Sequence, residues 1–123
     1  MPAKILIVDD DVEIVDRIET LLAANGYTVV RAATGGEALT VARKELPDLV
    51  ILDALLPQMS GYDVCRTLKS SPDTNKMIVL MLTALGQMGD VEKAFSLGAN
   101  DYLIKPFDNE RLMRKIEKLL SKT

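Results

Sequence analysis

The chain reads as an α/β protein, a (βα)5 unit built on one parallel sheet of five strands. Three observations lead there. Ile5-Leu6-Ile7-Val8, Leu49-Val50-Ile51-Leu52, Ile78 to Leu82 and Tyr102-Leu103-Ile104 are short unbroken apolar runs. Such runs suit parallel strands buried on both faces. Helical patterns alternate with strands five times, the order that covers a parallel sheet with helices. Each of the four runs also ends on chemically useful polar residues: Asp9-Asp10, Asp53, Thr83 and Lys105-Pro106. Ligands of open α/β sheets sit beyond the carboxyl ends of the strands. Three carboxylates, a hydroxyl and an ammonium are therefore expected at one edge.

The elements follow in order. The first strand is Ile5 to Val8, and a helix follows Asp10. Ile14, Ile18 and Leu21 lie on one face of it, with Val15 and Leu22 beside them, and Asn25-Gly26 supplies the stop. Tyr27 to Ala32 is the second strand. Thr34-Gly35-Gly36-Glu37 is a capping box for a second helix that ends before Pro47. After the third strand and Asp53, Leu56 to Gly61 forms a loop. Ser60-x-x-Asp63 caps the third helix, with Val64 and Leu68 facing inward. Ser70 to Asp73 is a turn signal. The fourth helix lies between Gly89 and Gly98. The fifth starts at Asp108 and buries Leu112, Ile116 and Leu119. No repeat, linker or low-complexity segment interrupts residues 1–123. The expectation is one domain with no output domain attached, and Met1 fits a stand-alone protein or the start of a longer one.

Composition narrows the function. The 123 residues fit one domain. They are 48% hydrophobic and 27% charged, normal for a globular protein with a buried core. The net charge of −3, with no basic tract or zinc-finger spacing, gives no expectation of nucleic-acid binding. The longest apolar stretch, Met77 to Leu85, is too short to span a bilayer, and no signal peptide is seen. No membrane association is expected. The single Cys65 excludes an internal disulfide and fits a reducing cytoplasm. Histidine is absent, which excludes His metal sites, His general bases and Ser-His-Asp triads within the chain. Any phosphohistidine must come from a partner.

Asp9, Asp10 and Asp53 held close together repel. A cation must offset this, or one carboxyl must stay protonated. Oxygen ligands without Cys or His favour Mg²⁺ or Mn²⁺ over zinc. Asp11 reads as a solvated helix start, where an acid suits the dipole. Asp53, exposed at a strand end, can attack phosphorus and form an acyl phosphate. That chemistry needs mostly positioning and charge neutralisation. Mg²⁺ would hold one phosphoryl oxygen, Lys105 a second and the Thr83 hydroxyl a third. Thr83 or Lys105 alone would be an ordinary strand-end residue; their joint pattern carries the assignment. A cis bond before Pro106 would aim Lys105 back at the site. Gly61 fits a positive φ, a tight approach after Asp53 or an ordinary loop glycine.

The sequence resembles the receiver domain of two-component response regulators, of the chemotaxis-regulator kind, over essentially its whole length. The matching residues are Val8-Asp9-Asp10, Asp53 with Leu56-Pro57-x-Met59-Ser60-Gly61, Leu82-Thr83-Ala84 and Gly98 to Phe107. The resemblance implies a flavodoxin-like three-layer sandwich with strand order 2-1-3-4-5. It implies that Asp53 accepts a phosphoryl group from a histidine kinase or histidine phosphotransfer protein. Asp10, Asp53 and the Leu55 backbone carbonyl would ligate Mg²⁺, with Asp9 acting mainly through water. Thr83 and Tyr102 would be the switch pair. Leu55 and Leu85 occupy positions that tune phosphoryl lifetime in the family. Both are apolar and bulky, so a long lifetime is expected.

Val91 and Phe95 are expected near the surface beside Tyr102, on the face receivers use for output, while Ala94 and Leu97 face the sheet. The plain alternative makes Phe95 core. Gly86 and Gly89 read as hinge or turn glycines, and Cys65 as a small buried hydrophobe. The charged pattern from Glu110 to Lys122 reads as a solvated helix face. The oligomeric expectation is a monomer or a weak phosphorylation-dependent dimer. Apart from self-phosphorylation and autodephosphorylation at Asp53, no enzyme activity is expected. An Asp-nucleophile phosphatase would need a second acid two residues on, where Leu55 stands. A nucleotide-binding module would need a glycine-rich phosphate loop, which is missing. A degenerate receiver scaffold would not need the intact acid, Thr and Lys set.

Overall fold

The computed structural model describes residues 3–84 and 88–121, with side chains at all of these except 84 and 88–91. The strands are β1 (Lys4–Val8), β2 (Thr28–Ala32), β3 (Leu49–Asp53), β4 (Ile78–Ala84) and β5 (Asp101–Lys105). The helices are α1 (Val12–Ala24), α2 (Gly35–Glu45), α3 (Gly61–Ser70), α4 (Met88–Ser96) and α5 (Asn109–Leu120). The sheet runs β2-β1-β3-β4-β5, with every neighbouring pair parallel. The sequence-based order and architecture are borne out.

Strand side chains alternate between the two sheet faces, and here the alternation separates two cores. Ile5, Ile7, Leu49, Ile51, Leu80 and Leu82 pack with the buried faces of α1 and α5. Leu6, Val8, Val50, Leu52, Val79 and Met81 pack instead with residues of α2, α3 and α4. The central strands are buried on both faces, which is why they read as unbroken apolar runs.

Each predicted cap forms. The Asp11 side chain accepts from the Glu13 and Ile14 N–H groups and opens α1, so this acid is a helix cap. Thr34 Oγ1 accepts from Glu37 N–H at 3.1 Å. Glu37 reaches back to accept from Ala33 N–H at 2.6 Å, one residue before the usual capping-box partner. Ser60 and Asp108 cap α3 and α5.

Some boundaries shift. The buried stripe of α1 is Val15, Ile18 and Leu22, while Ile14 and Leu21 are half-buried. β2 begins one residue after Tyr27, whose N–H donates back to Leu22 O in the preceding turn. α2 ends with Leu46 at φ 49, before Pro47. Proline disfavours the right-handed helical conformation in the residue before it.

Candidate functional site at the carboxyl edge of the sheet

The register assembles the site. Val8 pairs with Leu52 and Asp53 with Leu82, so Asp9 and Asp53 leave adjacent strands at the same level. Thr83 pairs with Ile104 and Ala84 with Lys105 on the far side. Alternation puts Asp9, Asp53 and Lys105 on the α1/α5 face, in step with Ile7, Ile51 and Leu103. Thr83 follows the parity of Met81 and belongs to the opposite face, with Tyr102.

Asp9 and Asp53 are 2% and 7% exposed, so Asp53 is buried and not the exposed strand-end carboxylate expected from the sequence; such burial is rare for carboxylates without a partner. The partner is Lys105. Its Nζ lies 3.2 Å from Asp9 Oδ2 and 3.3 Å from Asp53 Oδ1. Asp53 Oδ1 also accepts from Leu55 N–H at 3.3 Å, and Asp9 Oδ1 from Asp11 N–H at 3.0 Å. Asp10 is exposed. Oxygens of Asp9, Asp10 and Asp53 lie within 4.8 Å of one another. The Lys105–Pro106 bond is cis.

Burial pushes the Asp53 carboxyl above its ordinary value, and the Asp9 charge adds to this; Lys105 and the Leu55 N–H pull it back only in part. For Lys105, burial acts downward, but the Asp53 and Asp9 charges outweigh it and hold the ammonium above its usual value. An all-oxygen donor set on this edge suits a hard divalent cation. A second feature of this edge is an unsatisfied hydroxyl. Thr83 Oγ1 is buried, and among the described residues it has no hydrogen-bond partner. Buried hydroxyls are normally satisfied, so this one fits a ligand oxygen at the strand ends.

Gly61 brings the next loop close. A Cβ there would collide with the Asp53 backbone carbonyl and lie 2.9 Å from Ala54 Cα. Its N–H donates to Ala54 O at 3.0 Å. Of the three sequence-based readings, the tight approach is the one observed. The Leu55 side chain is 69% exposed beside the site. Leu85 and Gly86 lie outside the described residues, as does the Val91 side chain.

Tyr102 is half-buried, and its ring contacts residues of α4 and α5. Its ring meets Phe95 edge-on at 5.8 Å. Lys115 Nζ sits 5.2 Å from the same ring and 3.0 Å from Asp101 Oδ1. Phe95 is 46% exposed, which bears out the surface reading, while Ala94 is buried against the sheet. Cys65 is fully buried, as expected. Sequence reasoning missed Lys115, treated as part of a solvated face. Its signal was the spacing of cations along α5. It also missed Asn100, whose Oδ1 accepts from Val79 N–H at 2.8 Å and Lys69 Nζ at 2.9 Å.

This chain belongs to the response regulator receiver domain family, whose model matches residues 5–117. It is 42% identical over 98% of its length to the DNA-binding dual master transcriptional regulator RpaA of Synechocystis, of which it covers 50%. The chain thus spans about half the length of the curated relatives of that kind. Its structure is similar to chemotaxis response regulator CheY4 of Vibrio cholerae, with TM-score 0.91, 31% identity, and 96% and 98% of the two chains covered. A CheY-like receiver domain protein of Methanospirillum hungatei gives TM-score 0.92 at 31% identity, covering 99% and 96%. Receiver domains are phosphoacceptor switches of two-component signalling, and they generally use Mg²⁺. Among the described residues, no helix is long and apolar enough to cross a membrane.

Proposed function

We propose that residues 1–123 act as one receiver unit whose Asp53 takes a phosphoryl group from a histidine kinase or phosphotransfer protein. The observation that carries this is Asp53 itself: a nearly buried carboxylate at a strand end, 3.3 Å from Lys105, in an acidic cluster, with the Thr83 hydroxyl at the end of the next strand unpartnered among the described residues. An Asp53 carboxylate oxygen attacks phosphorus as the P–N bond to the partner's imidazole breaks; the electron pair stays on the departing nitrogen, which takes a proton from solvent to leave as neutral imidazole. The chain has no histidine, so the donor is on another protein. Lys105 turns from the carboxylates to one phosphoryl oxygen. The Thr83 hydroxyl donates to another, which gives its proton the acceptor it lacks at rest.

Asp10, Asp53 and the Leu55 backbone carbonyl would hold Mg²⁺, or Mn²⁺ in its place, with Asp9 acting through water. Bound there, the ion neutralises the carboxylates and polarises the phosphoryl oxygens. Movement of Thr83 opens space for the Tyr102 ring to turn inward from Phe95 and Lys115. The α4–β5–α5 face around Val91, Phe95 and Tyr102 then changes shape for a protein partner. The chain turns over no separate substrate; its chemistry is self-phosphorylation and autodephosphorylation in the cytoplasm.

The test is acetyl phosphate with Mg²⁺, read by intact mass. Wild type should gain one phosphoryl group and Asp53→Asn none. A mutant that labels as fast as wild type would place the acceptor elsewhere.

A further inference from the structure

Lys105 is the last residue of β5, an edge strand, and the chain turns away after it through Pro106 and Phe107 into α5. Its ammonium rides on a long, flexible stem. The seat of that ammonium on Asp9 and Asp53 therefore depends on where the turn is fixed. The fixing contacts come from α1. Arg17 donates from Nη2 to the Phe107 carbonyl at 2.7 Å and from Nε to Asn109 Oδ1 at 3.0 Å. Its guanidinium also lies 5.2 Å from the centre of the Phe107 ring. One planar group thus engages the backbone of the turn, the first residue of α5 and an aromatic face, a combination that a lysine cannot reproduce. Phe107 itself is half-buried against the α1/α5 core, which gives the turn an inner anchor as well.

The same helix is tied to the other end of the ion pair. Asp9 Oδ1 accepts from Asp11 N–H at 3.0 Å, and Asp11 caps α1. The contacts close a ring that runs from Asp9 through the α1 cap to Arg17, on to Phe107 and Lys105, and back to Asp9 across the 3.2 Å ion pair. We propose that Arg17 is a positioning residue for Lys105. By clamping the β5–α5 turn to α1, it keeps the ammonium on Asp9 and Asp53 at rest and within reach of a phosphoryl oxygen during transfer. The transfer half of this rests on the reading of Asp53 as phosphoacceptor; the resting half does not. Without the clamp, the Lys105 stem samples more rotamers, and the ammonium competes less well with a divalent cation for the carboxylates. The ammonium is also misplaced when the phosphoryl group arrives, and an error of about 1 Å in a reacting geometry is costly to rate.

The test is a double-mutant cycle on the whole chain. Mg²⁺ affinity is read from ¹⁵N amide shifts, and labelling by acetyl phosphate is read by intact mass at saturating Mg²⁺, so that tighter metal binding cannot mask a slower transfer. Arg17→Ala should bind Mg²⁺ at least about twofold more tightly than wild type. It should label at least about threefold more slowly. In a Lys105→Ala background, Arg17→Ala should change neither quantity further. Asn109→Ala removes one acceptor and no charge, and should shift both quantities the same way by less. Arg17→Lys keeps the charge without the fork and should restore only part of the wild-type values. Arg43→Ala removes an exposed cation from α2 and should leave both unchanged. Arg17, Asn109 and Arg43 are all exposed, so folding is spared. Wild-type values of both quantities in Arg17→Ala overturn the proposal. So do effects that persist in the Lys105→Ala background, full rescue by Arg17→Lys, or an equal effect of Arg43→Ala. Failure of wild type to label at Asp53 would sink the phosphoacceptor reading, and the Mg²⁺ cycle would still decide on Arg17.

Discussion

Asp53 is held at a cost that pH can reveal. Burial and Asp9 raise its folded pKa. For such a group the stabilising contribution is present below the ordinary carboxylate value and is lost as pH rises through the raised one. Asn cannot ionise. Asp53→Asn should therefore gain stability over wild type as pH climbs from acid to neutral, with the two curves meeting at low pH. Urea midpoints across pH measure this, and parallel curves would show that Asp53 titrates as an ordinary acid. Thr83 carries a second cost, a buried hydroxyl that has no partner among the described residues. An unsatisfied buried group costs about 1–3 kcal/mol. Thr83→Val keeps the shape and removes the hydroxyl, so it should stabilise the fold by about 1 kcal/mol. It should still accept phosphate at Asp53, yet show no phosphorylation-dependent shift at Tyr102. A full shift at Tyr102 in this variant would remove Thr83 from the switch.

At the scale of the element, the β3–α3 connection ties the site to a helix start. Gly61 sits where a side chain would strike the Asp53 backbone. Gly61→Ala should force the loop outward, cost about 1–3 kcal/mol and slow phosphorylation. Thermal melts and acetyl phosphate labelling check both halves; an unchanged labelling rate would mean that the loop does not set Asp53's position. Helix starts were legible because caps are local: Asp11, Thr34, Ser60 and Asp108 each need only a side chain and an N–H two or three residues on. The centre of the α1 stripe was less so. Five apolar residues cover a wide arc, and only the docking angle on the sheet selects Val15, Ile18 and Leu22. The left-handed Leu46 carries no signature of its own in the sequence beyond the proline after it.

For the whole molecule, the site was legible because parallel topology delivers every strand's carboxyl end to one edge, whatever the details of packing. The Phe95 neighbour of Tyr102 was legible too, but the Lys115 contact with the same ring was not, since it depends on where α5 lies against β5. The edge should also couple folding to a divalent ion. Lys105 is the cation that now offsets Asp9 and Asp53. Lys105→Ala should bind Mg²⁺ more tightly and show a larger Mg²⁺-induced rise in Tm than wild type, because a ligand that binds the folded state stabilises it. Chelation should abolish the difference. An equal rise in both proteins would mean that Lys105 and the ion do not compete.

The strict alternation along the strands makes the sheet an insulating wall. Asp9, Asp53 and Lys105 rise from one side of it, and Thr83 and Tyr102 from the other. On this arrangement, news of phosphorylation is expected to pass over the rim of the wall and not through its interior. Damage well below the rim should be silent to the signal. Ile18→Val, deep in the α1 layer, should lower stability by about 1 kcal/mol and leave both the labelling rate and the Tyr102 shift as they are. Calorimetry and NMR on the same sample decide it; a changed shift would mean that the wall leaks. If it does not, the robustness of this protein and the message it carries can be tuned separately.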